Sequence, residues 1–213
     1  MSGDTRRLLR WVTDSGDAGG RAFFIIDKRN ALLYVFEPEG TLRAHTAILL
    51  GGAAGDHTVP GIGDRPITDV LPHERTTPAG RFIGERGRNM RGEDVVWVDY
   101  DAAVSVHRVL TSHPAERRLE RLASPTPLDN RISYGCINVP AAFFDTHVMP
   151  IVVSAGVIVY ILPEVRTLAE VFGIPAREAR DMAKAERRHS ARAAAFMDPW
   201  SVERTFAPRA RRN

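Results

Sequence analysis

Residues 22-AFFIIDKRNALLYVFEPEGTLRAHTAILLGG-52 decide the fold. Phe23 to Ile26, Leu32 to Phe36 and Ala44 to Leu50 carry the apolar and β-branched side chains that suit a pleated surface. Asp27 to Asn30 and Glu37 to Gly40 supply turn formers between them. The pattern predicts a strand meander at the start of a β-rich body.

Downstream, Gly51 to Thr76 is dense in Gly, Pro, Asp and His and lacks periodicity, so a long irregular segment is expected there. Strand character returns at Phe82 to Gly84. It returns again in 94-DVVWVDYDAAVSVHRVL-110, where Asp99 to Ala102 form the turn and His107 falls on the second strand. The stretch 114-PAERRLERLAS-124 predicts a short amphipathic helix with Leu119 and Leu122 on one face. In 133-SYGCINVPAAFFDTHV-148, Pro140 is placed to open a helix whose Phe143, Phe144 and Val148 face inward. Ile151 to Val153 and Val157 to Leu162 are expected to form a closing hairpin around Ser154 to Gly156. Upstream, the first 21 residues read as a polar lead. Beyond Pro163 the pattern turns helical, with Thr167 to Phe172 stopped by Gly173 and a second helix from Pro175 to about Ala195. The expected class is mainly β with short helices (α+β), a β-sandwich or flattened barrel over 22–162. A helical, basic C-terminal extension over 163–213 follows it.

The 213 residues are 44% hydrophobic and 26% charged, the balance of one ordinary globular domain with a short appendage. The formal charge is +3, and much of the basic excess lies after Ile174. No aromatic platform interleaves with those basic residues and no helix-turn-helix or zinc-finger spacing occurs, so nucleic acid is not an expected partner. Runs such as 151-IVVSAGVIVYIL-162 are too short to span a bilayer, and no integral membrane segment is expected. The start MSGDTRRLLRW has no secretory apolar stretch. A cytoplasmic location is therefore expected if Met1 is the natural start, and the periplasm or cell envelope if a leader has been removed.

The single cysteine, Cys136, excludes an internal disulfide, a Cys-x-x-Cys redox pair and a multi-cysteine zinc site. It sits in Ser133-Tyr134-Gly135-Cys136-Ile137-Asn138, between strand and helix patterns. Glycine there permits close approach of a substrate to the backbone, and the adjacent turn can aim amide N–H groups at one spot. A thiol near its ordinary pKa of about 8.5 needs a base, a cation or a helix N-terminus to act as a nucleophile at neutral pH. Its bland alternative is a small buried hydrophobe. Seven histidines are available. His107 is the expected base because a strand holds an imidazole to the tolerance that acyl transfer requires; His113 is the reserve, and His147 reads as structural or surface. No cofactor is expected, and no metal, since the spacings of His107, His113, Cys136, Asp145 and His147 match no standard site.

The stretch 133-SYGCINV-139 resembles the catalytic signature of the L,D-transpeptidase family, the YkuD-type domain, whose members carry Ser/Thr-His-Gly-Cys-apolar-Arg/Asn and a second histidine upstream. Thr77-Pro78-Ala79-Gly80-Arg81-Phe82 resembles that family's Thr-Pro-x-Gly-x-Phe segment. Likewise 31-ALLYVFEPEGTL-42 resembles its opening hairpin, and Val106-His107 the end of its histidine-bearing strand. The resemblance runs from about Ala22 to Leu162. It implies Cys136 as nucleophile, His107 as base, and the Arg108 carbonyl as the group orienting the imidazole. It also implies Gly135 and Cys136 as backbone oxyanion positions and Asn138 as the polar residue after the cysteine, with Ser133 and Tyr134 lining the pocket. Two departures stand out: Tyr134 occupies the usual histidine position, and the segment from His107 to Cys136 is longer than is typical.

What the resemblance implies is a peptidoglycan stem peptide or muropeptide as substrate, with loss of a terminal D-alanine after an L-centred diamino acid at the third position. A Cys136 thioester is then passed to an amine, giving a 3-3 cross-link. Water as acceptor gives an L,D-carboxypeptidase or amidase instead, and loss of turnover gives a wall-binding module. The insert is expected to rest on the pocket rim, with Arg117, Arg118 and Arg121 steering the peptide carboxylate. A solvent-facing helix whose arginines are neutralised by Glu116 and Glu120 is the equal alternative.

Overall fold

The computed structural model describes residues 1–174. Ten strands occur among them: β1 (Phe23–Asp27), β2 (Leu32–Phe36), β3 (Leu42–Ala47), β4 (Leu50–Gly51), β5 (Gly80–Arg88), β6 (Asp94–Asp99), β7 (Val104–Arg108), β8 (Arg131–Ser133), β9 (Ile137–Val139) and β10 (Val157–Ile161). Eight of them form one sheet in the order β3-β2-β1-β10-β5-β6-β7-β9, while β4 and β8 pair separately. The β1–β10 and β7–β9 pairs are parallel and the other neighbours in this sheet antiparallel. Just past β3, Leu49 exchanges both backbone hydrogen bonds with Asn138 of β9, each 2.9 Å long. That bridge joins the two ends of the sheet and nearly closes it into a barrel. Mainly β with short helices is thus the fold.

Strands β2 and β10, and β1 as far as Ile26, are apolar at every position because both faces of the sheet are covered there. On one side Phe24, Ile26, Leu33, Val35, Val96, Val106, Ile137 and Val159 pack with Phe144, Val148, Ile151 and Val152 of a helix. On the other, Phe23, Ile25, Tyr34, Phe36, Ile158 and Tyr160 pack under Leu8 and Val12 and against Phe172 and Ile174. Leu8 and Val12 belong to α1 (Gly3–Ser15), where a polar lead was expected. The helix starts because the Ser2 hydroxyl accepts from the Thr5 N–H (3.1 Å). Its burial rests on the narrow stripe Thr5, Leu8, Val12.

Helix α2 (Arg118–Ala123) occupies the insert. The expected closing hairpin is the main correction. From Ala141 the chain is helical through α3 (Ala141–Phe143), a π-helical turn (Phe144–Val148) and α4 (Met149–Ala155), ending at Gly156 with φ +68°. Ile151 and Val152 therefore lie on a helix and only β10 is a strand. The run is β-branched, but the helix opened at Pro140 carries Phe144, Val148, Ile151 and Val152 onto the sheet, and that packing outweighs local preference. After β10, α5 (Leu168–Phe172) is capped by Thr167 and stopped by Gly173. The helix expected from Pro175 to Ala195 and the basic tail lie outside the described residues.

Candidate active site

Strands β7 and β9 run parallel with Val106 opposite Ile137 and His107 opposite Asn138. Side chains alternate along a strand. The sequence Val104-Ser105-Val106-His107 therefore sends two valines into the core and leaves Ser105 and His107 on the other face. In the same way Ile137 and Val139 are buried among apolar neighbours, while Asn138 shares the face of His107. Cys136, just ahead of β9, completes a square with Ser105. Its thiol lies 3.7 Å from the Ser105 hydroxyl and donates to the Ala103 carbonyl at 3.4 Å. Ser105 was not singled out from sequence, although the alternation Val-Ser-Val-His carries the signal.

His107 donates from Nδ1 to the carbonyl of Arg108 at 2.7 Å, so in the neutral ring Nε2 holds the lone pair. Burial alone pushes the imidazole pKa down. The hydrogen bond and charge of Cys136, and the Arg108 carbonyl, outweigh it and raise the value, with Arg118 opposing. For the Cys136 thiol, burial pushes up, but the hydrogen bond and charge of His107 and the N–H and hydroxyl of Ser105 bring it below its ordinary value. Each group thus favours the charged form of the other, the electrostatics of a nucleophile and its base.

The turn before the cysteine is fixed from two sides. Gly135 has φ +133°, and a side chain there would place Cβ 2.8 Å from the Thr76 carbonyl oxygen; only glycine fits both constraints. Its carbonyl accepts from Thr77 Oγ1 at 2.8 Å, and that hydroxyl oxygen in turn accepts from the Gly51 N–H at 2.9 Å. The Gly135 N–H donates to Ser133 Oγ (3.1 Å), which in turn donates to the Cys136 carbonyl (2.6 Å). Of the two amides expected at an oxyanion position, that of Gly135 is therefore occupied in this state, which leaves the Cys136 N–H. Tyr134 lies under the Arg75 guanidinium, 4.1 Å from the ring centroid. Arg108 turns its own guanidinium away, onto Asp145 (Nε to Oδ1 2.9 Å) and over the Phe144 ring.

The insert reaches the same face. Arg118, only 10% exposed, donates from Nη1 to Asn138 Oδ1 at 2.5 Å and from Nε to Glu116 at 2.6 Å. Arg117 points to solvent with Glu120, and Arg121 is held by the carbonyls of Glu116 and Asp129. One of the three arginines thus meets the site. The His147 ring packs at a tilt against Phe143. Among the described residues no group of three or more His, Cys, Asp or Glu gathers to hold a metal ion, and no helix is long and apolar enough to cross a membrane.

No family model matches the sequence, and no curated protein matches it. Solved structures do show a likeness. The catalytic domain of an L,D-transpeptidase from E. faecium is 19% identical over 67% of this chain and 98% of that one, with a TM-score of 0.38. The helical cell shape determining protein Pgp2 from Campylobacter jejuni is 16% identical over 74% of this chain and 56% of that one (TM-score 0.43). An L,D-transpeptidase from Xylanimonas cellulosilytica is 17% identical over 72% and 68% (TM-score 0.41). Likeness at this level places no residue in a role; Cys136 and His107 are singled out by their own geometry.

Proposed function

We propose that the chain is a cysteine-dependent acyltransferase acting on peptidoglycan stem peptides, an L,D-transpeptidase. One observation carries the chemistry: the only cysteine faces a half-buried imidazole whose Nδ1 is anchored by a carbonyl, and the two groups shift each other's proton affinity in the direction a nucleophile and base require. The substrate class is supported by the resemblance of 133-SYGCINV-139 and of Thr77 to Phe82 to that family's segments.

Nε2 of His107 takes the thiol proton and Sγ of Cys136 attacks the carbonyl carbon of the third stem residue. The resulting oxyanion is met by the Cys136 N–H, which the turn at Gly135 presents. Collapse breaks the C–N bond. The imidazolium returns its proton to the departing D-alanine amine, and a thioester remains. An amine of a second stem then attacks the thioester, its surplus proton passes to Nε2 of His107, and the C–S bond breaks with the thiolate leaving.

Incubation with a defined tetrapeptide stem, with and without an amine acceptor, followed by mass analysis of protein and products, tests this. The expected result is a Cys136 adduct heavier by the tripeptide acyl group, together with a cross-linked product when the amine is present. Tripeptide alone in both conditions makes the enzyme a carboxypeptidase. Absence of any adduct, with the stem still bound, leaves a wall-binding module and defeats the proposal.

A further inference from the structure

Asn138 stands opposite His107 in the β7–β9 register and is fully buried. Its two ends meet different partners. Oδ1 accepts from Arg118 Nη1 (2.5 Å), while Nδ2 lies 3.4 Å from His107 Nε2 and 3.3 Å from the Cys136 carbonyl. A guanidinium has donors only, so the amide oxygen must face Arg118 and the NH₂ must face the imidazole. Because His107 Nδ1 already donates to the Arg108 carbonyl, an approaching Nδ2–H finds a lone pair on Nε2. The reversed amide would set NH₂ against a guanidinium and oxygen against that lone pair, and both contacts would repel. Arg118 is held in turn by Glu116 and is nine-tenths buried, so its direction is determined by more than solvent.

We propose that Arg118, acting through the Asn138 amide, is a positioning residue that keeps His107 Nε2 an unprotonated acceptor turned towards Cys136. The proposal deepens the acyl-transfer reading and rests on it for turnover, but not for the state of the thiol. Arg118 also opposes protonation of His107 by its charge, against the raising effect of Cys136. The groups facing the imidazole are Cys136 ahead of β9, Arg118 from the insert and, behind Arg118, its partner Glu116. The Arg108 guanidinium is turned away to Asp145. Removing a cation makes proton loss from the Cys136–His107 pair harder, so the pair should deprotonate at higher pH.

The test is the pH dependence of Cys136 alkylation by iodoacetamide in the whole chain, read alongside kcat and KM on the tetrapeptide stem. R118M should move the alkylation midpoint to higher pH and lower kcat by about 10–100-fold with a smaller change in KM, the loss expected when a general base is misplaced by a fraction of an ångström to an ångström. R118K, which keeps a charge and a donor, should recover a large part of both. N138D retains a partner for Arg118 but turns an acceptor towards Nε2, so it should also move the midpoint up and lower kcat. Should R118M fail to fold, this variant carries the test alone. An unchanged midpoint and kcat in folded R118M, or in N138D, overturns the proposal, as does R118K behaving like R118M. A wild-type protein that shows the alkylation shift on mutation but never turns over the stem leaves Arg118 in its role and removes the substrate reading.

Discussion

Around Lys28, the hydrogen bonds of the ammonium and of Asp56 run from 2.5 to 2.9 Å, with Glu164 at 3.4 Å from the ammonium. Nζ donates to the Gly55 carbonyl (2.5 Å), to Asp56 (2.8 Å) and to the Thr77 carbonyl (2.9 Å). Asp56 accepts from the N–H groups of Glu164, Val165 and Arg166 (2.8, 2.9 and 2.6 Å), and Glu164 binds Arg131 and the Gly55 N–H. Around Cys136 the contacts of Sγ and of His107 Nε2 run from 3.4 to 3.7 Å, while a 2.7 Å bond holds His107 from behind. Both clusters are polar and both lie against the same barrel. In the first, every charge is matched, so its ionisation is fixed and its energy goes into fastening 51–79 and 163–166 to the sheet. In the second, the scaffold is pinned while Cys136 Sγ and His107 Nε2 keep loosely held partners, as the proposed acyl transfer requires.

The comparison breaks most visibly at the thiol. C136A should abolish the acyl adduct, and H107Q should slow its formation by about three orders of magnitude or more. Neither should change the urea midpoint appreciably; adduct mass and unfolding curves on the same samples read both. K28M should do the reverse. It leaves Asp56 buried without its cation and should lower stability by about 3–5 kcal/mol in urea unfolding, while the folded fraction alkylates at Cys136 as wild type does. Altered thiol reactivity in folded K28M would erase the distinction between the clusters.

Acid sharpens it further. Burial pushes the Asp56 carboxyl up, but the Arg166 N–H, the Lys28 ammonium and the N–H groups of Glu164 and Val165 prevail and hold it at about 2. A depressed carboxylate adds stability above its ordinary pKa of 3.8 and loses it as pH falls through the folded value. The loss should amount to about 2 kcal/mol between pH 5 and 2, measured as urea midpoints, with D56N lacking this part of the slope. The smallest expected effect is at Thr77, the residue that joins the clusters: its carbonyl accepts from Lys28 and its hydroxyl donates to the Gly135 carbonyl. T77V should cost about 1–3 kcal/mol and slow acylation modestly by loosening the turn that presents Cys136; stopped-flow acylation against melting temperature separates the two.

The strands were legible wherever turn residues bracketed them, as at Asp27 to Asn30 before β2 and Asp99 to Ala102 before β7. Helix α1 escaped notice because three buried positions in thirteen leave a segment polar on average. Residues Met149–Ala155 misled because a short apolar run of Ile and Val has no period that separates strand from buried helix. At the site, Cys136 and His107 stood out by residue type and setting, and Ser105 was readable from the alternation in β7. The Arg118–Asn138 contact was not. Twenty residues and a change of element separate the two, and only the docking of the insert brings them to 2.5 Å.

The Leu49–Asn138 bridge bears on how a peptide can approach. Many proteins capture an extended chain by letting it zip onto a free sheet edge, where unpaired N–H and C=O groups wait for a new strand. Strand β9 offers no such edge: β7 takes one side, Leu49 takes the other at Asn138, and the Cys136 carbonyl is claimed by Ser133 and by the Asn138 amide. A ligand for Cys136 therefore gains no strand pairing along β9, and the side chains near the cysteine, among them the Arg75–Tyr134 pair and Arg118, are what it would meet. Selection would come from side-chain and headgroup chemistry there, with no ladder of backbone bonds to impose register.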